Sequence, residues 1–141
     1  MQSGGWRKLA GSIATLGVLA GVAVPAAAFG QGKADPYYSK TYNACMDAAG
    51  GSTLPMKECM GAEQDAWDKQ LNQTYQAVMA RRSPPDRLKL RDEERAWLKH
   101  MQHKCDHAGD AEEGGTLQGV EIDQCILDEG ILRTVYLRGL R

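Results

Sequence analysis

The sequence predicts an all-α protein: a small four-helix domain around an antiparallel helical hairpin, stapled by two disulfides. Three observations predict it. Apolar residues recur at helical spacing over long stretches, the mark of helices with one buried face. Strong stop and restart signals separate those stretches at Gly50-Gly51 and at Ser83-Pro84-Pro85. The chain carries 4 cysteines, an even count, and shows no strand-like alternation and no repeats.

Taken in order, the chain opens with Arg7 and Lys8 before a small-residue-rich apolar run from Leu9 to Val24. Ala26-Ala27-Ala28 then offers small residues where a signal peptidase reads. The run is shorter than the roughly 20 residues a spanning helix needs, and Gly11, Gly17 and Gly21 interrupt it. The expected organisation is therefore a signal peptide over 1–28, a flexible leader over 29–35 and a helical domain over 36–141. No membrane span remains after processing. All four cysteines lie in the mature part, and behind a secretory signal they read as two disulfides that staple a domain too small to bury a large core.

Asp35-Pro36 resembles a helix start, with Asp as N-cap and Pro in the first turn. Tyr38, Tyr42, Cys45, Met46 and Ala49 share one face, which predicts a short helix over Pro36–Ala49, ended by Gly50-Gly51. Ser52 or Thr53 caps a second helix that runs to about Arg82 with Met60, Trp67, Leu71, Tyr75 and Val78 on its apolar face. Ser83, Pro84 and Asp86 restart a third, reaching about His107 with Leu90, Trp97, Leu98 and Met101 on its apolar face. Folding back near Ser83 brings Trp67 level with Trp97 and Cys59 level with Cys105, so the tryptophans are expected in the hairpin seam. Asp106 to Gly115 reads as an exposed acidic loop. The last helix begins between Thr116 and Val120 and ends near Leu137, with Ile122, Cys125, Ile126, Leu132, Tyr136 and Leu140 on its apolar side.

Local pairing joins Cys45 to Cys59 and Cys105 to Cys125. It is preferred over the rival pairing of Cys59 with Cys105 and Cys45 with Cys125, which the hairpin geometry also permits. Asp68, Asn72 and Tyr75 fall at i, i+4 and i+7 on the second helix, with Arg95 of the third expected within a turn of Asn72. They read as an interhelical polar clamp, with Trp67 and Trp97 as core; the other reading is part of a binding surface. His100, His103 and His107 share a helix face, with Asp106, Asp110 or Glu112 nearby. They read as exposed histidines near a helix C-terminus, where cations are favoured, with a metal site as the weaker alternative.

The function classes narrow accordingly. The full chain has 17 basic and 18 acidic residues; without Arg7 and Lys8 it keeps 15 basic ones, a formal charge of −3. That argues against a general nucleic-acid binder. Disulfide sulfurs are not nucleophiles, and no glycine-flanked serine elbow or phosphate loop is present. The expectation is a non-enzymatic protein with no cofactor.

The ordered motifs resemble a known family. They are Cys45 and Cys59, then Asp68 through Leu71-Asn72 to Tyr75, then Glu94-Arg95-Ala96-Trp97-Leu98 with Cys105 after it. Gly114-Gly115-Thr116 follows, and last Cys125 with Arg133 and Leu137 at helical spacing. The set resembles the LprI-like lysozyme inhibitor family, whose N-terminal domain was long listed as a domain of unknown function. The likeness covers nearly all the mature chain. Family members often have Gln where this chain has Glu94, and Arg-Asp where it has Met101-Gln102. The resemblance implies a secreted or periplasmic binding protein that occludes the cleft of a lysozyme. The alternative is a generic cell-envelope interaction or stress module without lysozyme inhibition, so the partner is a lysozyme or another envelope protein. From charge alone, the contact segment is the acidic loop with Asp106, Asp110, Glu112 and Glu113, since animal-type lysozymes are strongly basic.

Overall fold

The computed structural model describes residues 32–140, all within one compact unit, Gln31–Arg141. The expected signal peptide over 1–28, the start of the expected leader and Arg141 lie outside the described residues. Four α-helices follow one another: α1 (Lys40–Ala49), α2 (Thr53–Ala80), α3 (Pro84–Asp106) and α4 (Gln118–Gly139). Single 3-10 turns stand at Asp35–Tyr37 and Asp110–Glu112, and no strand occurs among the described residues. The fold is all-α, as the periodicities predict.

The boundaries follow the punctuation with one shift. The first helix starts at Lys40 and not at Pro36, because Ser39 is extended and its hydroxyl accepts from the Tyr42 amide as an N-cap. Asp35 and Pro36 form the separate 3-10 turn before it, and the expected leader ends anchored, with Ala34 buried in the core. Gly50 and Gly51 both take left-handed backbone, at φ 55° and 82°, which closes α1 at little steric cost. At the α2–α3 corner the Ser83 hydroxyl accepts from the Asp86 amide and donates to its carboxylate (2.6 Å). Arg87 Nε then donates to the carbonyls of Met79 and Arg82 where α2 ends, the first of which also accepts from the Arg82 amide.

The packing order differs from the expected seam. α2 packs chiefly on α4 and α1 on α2; α3 rests more lightly on α4, while α2 and α3 barely touch. The two tryptophans therefore do not meet. Trp67 is buried with Met60, Leu127 and Ile131, whereas Trp97 belongs to neither of the two buried clusters. The second cluster joins Val78, Leu90 and Leu137 at the closed end of the hairpin. α4 is the cause. From Ile122 to Val135 no residue of it is exposed, and its most buried positions are Leu127, Ile131, Thr134 and Leu137. Surrounded on most sides, it has no single apolar face, so its expected face was misplaced: Tyr136 is exposed and Leu137 is wholly buried.

The cysteines pair locally, Cys45 with Cys59 and Cys105 with Cys125, across 14 and 20 residues of chain. In the chain-entropy model each contributes about 3 kcal/mol by restricting the unfolded chain. The first ties α1 to α2, and the second ties the end of α3 to α4.

Glu63 is the buried charge of the core, at 6% exposure. It is fully engaged: the Ser39 amide (2.8 Å), the Ser39 hydroxyl (2.6 Å) and the Trp67 indole N–H (3.1 Å) all donate to it. One carboxylate thus holds the entry of α1 against α2. Replacing it with alanine strands the buried Trp67 donor and two half-buried Ser39 donors, a desolvation cost of about 1–3 kcal/mol for each that water does not reach. We expect Glu63→Ala to lower unfolding free energy in urea by about 3 kcal/mol or more. A loss under about 0.5 kcal/mol, the usual range of a surface change, would show that the carboxylate holds nothing.

Candidate functional site

The acidic loop is the segment the sequence offers as a contact surface, and it has defined internal structure. α3 ends at Asp106, and His107 Nδ1 lies 2.9 Å from Asp110 Oδ2. Asp110–Glu112 makes one 3-10 turn, after which the Gly115 amide donates to the Glu112 carbonyl (2.8 Å). Gly109 is the anchor. It is buried, and a Cβ there would stand 2.6 Å from the Gln118 carbonyl oxygen, so any side chain would push the loop off the start of α4. Asp106, Asp110, Glu112 and Glu113 are all exposed. Among the described residues Asp106, Glu112 and Glu113 have no ion-pair partner. Asp106 moreover sits at the negative pole of α3, where a carboxylate is disfavoured.

The three histidines do not converge. His103 meets His107 edge-on at 4.9 Å between ring centroids, His107 is taken up by Asp110, and His100 is exposed. Among the described residues no group of three metal-ligating side chains is found.

The expected clamp is not formed. The Asn72 amide donates to the Asp68 carbonyl of its own helix (2.9 Å), and Arg95 faces Asp92 of its own helix at 3.8 Å. With α2 and α3 both resting on α4, the two sets stay apart. Asn72, Tyr75, Arg95 and Trp97 instead line an open cleft of about 260 Å³ between α2 and α3.

Away from the α2–α3 corner and the Glu63 tie to the start of α1, the polar ties that cross between helices reach α4. Arg133 donates from Nε (3.0 Å) and a terminal nitrogen (2.7 Å) to Glu94 Oε1, largely out of solvent. Its guanidinium lies 5.5 Å from the Trp97 ring centroid and 4.7 Å from that of Tyr136. Both separations allow cation–π attraction. Arg138 donates to Gln70 (2.6 Å), Lys57 pairs with Asp123 (2.9 Å) and Lys104 with Glu129 (2.5 Å).

A second network joins the start of the domain to α4. The Tyr38 hydroxyl bonds the Asp128 carboxylate, Gln124 Nε2 donates to both (2.7 and 2.8 Å), and the Tyr42 hydroxyl donates to Gln124 Oε1 (2.8 Å). Sequence reading missed this network and the Glu63 and Arg133 ties. For Glu63 a signal existed: it lies four residues before Trp67 and four after Cys59, on the buried stripe of α2.

Taken together, the geometry defines a disulfide-locked helical domain whose buried polar groups hold helices together, with carboxylates displayed on one anchored loop. The chain matches the family described as lysozyme inhibitor LprI over residues 45–137 and belongs to that family. No curated protein and no solved structure matches it.

Burial, more than the Asp128 hydrogen bond and charge, holds the Tyr38 hydroxyl far above its ordinary value of 10.0. Tyr42 is raised too, by burial first. Both folded values exceed the unfolded one, so the folded chain keeps protons that the unfolded chain gives up. This stabilisation is whole below the ordinary value of 10.0 and is lost as pH rises beyond it. In an ultraviolet titration we expect two of the five tyrosines to resist ionisation until the chain unfolds, and Tyr38→Phe to flatten the alkaline fall in stability. Five tyrosines ionising together in the folded chain would contradict the buried network.

Proposed function

We propose that this chain is a secreted or periplasmic, non-enzymatic inhibitor that binds lysozyme and occludes its cleft through the loop from Asp106 to Thr116. Family membership across residues 45–137 is the observation that carries this reading. Two paired disulfides suit an oxidising compartment, and among the described residues no helix is long and apolar enough to cross a membrane. The expected signal peptide over 1–28 gives the route out of the cytoplasm.

The loop is supported by its charge and by its anchoring. A held loop loses less conformational entropy on binding than a floppy one, and exposed carboxylates steer a basic partner toward it. Such steering weakens as salt rises. Inhibition on this account is steric; the inhibitor performs no bond chemistry.

The test uses the mature chain from Phe29 with an animal-type lysozyme, following the clearing of cell-wall substrate. We expect saturable inhibition that weakens with added salt. Replacing Asp110, Glu112 and Glu113 together with Ser should weaken it by on the order of tenfold. Inhibition unchanged in that variant would move the contact elsewhere on the domain. No inhibition by the unaltered chain at large molar excess would favour the envelope-interaction reading.

A further inference from the structure

The cleft between α2 and α3 plays no part in the reading above, and it has the makings of a site. Its apolar walls are Leu71 and Tyr75 from α2 and Trp97 and Leu98 from α3. Leu98 is 49% exposed, and Trp97 lies outside both buried clusters, so this surface is left uncovered where a core would hide it. The rim is cationic. Arg91 and Arg95 share a single carboxylate, Asp92, at 3.6 and 3.8 Å, both longer than a hydrogen bond. The other acid on the cleft, Glu94, is committed to Arg133.

Two guanidiniums without a close counter-ion, above aromatic and leucine side chains, match one ligand chemistry. Guanidinium forks bind carboxylate and sulfonate groups in bidentate fashion, and aromatic walls take flat apolar bodies. At about 260 Å³ the cleft falls just below the range of drug-sized pockets, which suits a body of one or two rings. Its sign is opposite to that of the acidic loop, so a basic lysozyme is not the occupant. We propose that the α2–α3 cleft binds a small aromatic anion, its ring body against Tyr75 and Trp97 and its anionic group on Arg91 and Arg95.

The test titrates the mature chain with anilinonaphthalene sulfonate and, in parallel, with phenylnaphthylamine, its neutral twin without the sulfonate. Dye fluorescence should report one saturable site for the sulfonate and much weaker binding of the twin. Arg91→Gln with Arg95→Gln should weaken sulfonate binding about tenfold and leave the twin unchanged. Both arginines are exposed and make no hydrogen bond to another helix, so the double variant keeps its fold, which far-ultraviolet dichroism checks. Leu98→Ser should weaken both dyes, and the Ser replacements at Asp110, Glu112 and Glu113 should affect neither. Absence of saturable sulfonate binding would overturn the proposal, as would a twin that binds equally well or an arginine variant that binds like the unaltered chain.

Discussion

The burial of α4 is the constraint on which the rest of this structure depends. α2 and α3 are joined by a tight corner but scarcely touch, and each finds its apolar partner on α4. Both buried clusters run through that helix, the first by Val120, Leu127 and Ile131 and the second by Leu137. Removing a contact on α4 therefore loosens two neighbours at once, whereas removing one on the outer face of α3 loosens none. The cleft between α2 and α3 is a direct consequence: arms that rest on a third helix leave a gap between them.

The polar ties fall into place around this arrangement. α3 has little apolar contact with α4, and it is held by Leu90, the Arg133–Glu94 pair, the Lys104–Glu129 pair and the Cys105–Cys125 bridge. α1 is short, and it is held by Cys45–Cys59, by Glu63 and by the tyrosine network that reaches Gln124 and Asp128. A buried carboxylate or ion pair is weak evidence of net stabilisation, because desolvation offsets much of the attraction. Its effect here is to fix positions, since an unpaired Glu63 or Glu94 would be costly in any other packing. The same rigidity sets the acidic loop, which springs from a disulfide-bonded residue and is pinned again at Gly109.

Much of the fold was legible from local punctuation. Gly50-Gly51 and Ser83-Pro84 mark their boundaries because left-handed backbone and a missing N–H leave few alternatives. Local disulfide pairing was the preferred of two pairings the hairpin permits, and spacing alone did not decide between them. The seam was not legible. Trp67 and Trp97 each sit on an apolar stripe, and sequence does not say whether two stripes face each other or a third helix. α4 concealed its role because a surrounded helix shows little periodicity. Asn72 and Arg95 were matched by register alone, which fails when the helices they occupy do not touch. Glu63 was hidden by the default that charged residues face water, and the Tyr38 network joins residues about ninety positions apart. For the candidate site, the exposure of Asp106, Asp110, Glu112 and Glu113 was legible, whereas the anchoring of their loop at Gly109 was not.

Native-state hydrogen exchange tests most directly the claim that α4 is the centre of this domain. Amides of α4 from Leu127 to Leu137 should exchange only through global unfolding, with those of α3 opening earlier and at lower free energy. If α2 and α3 instead shared the slowest exchange while α4 exchanged through local fluctuations, the two arms would be holding each other and the account would be wrong.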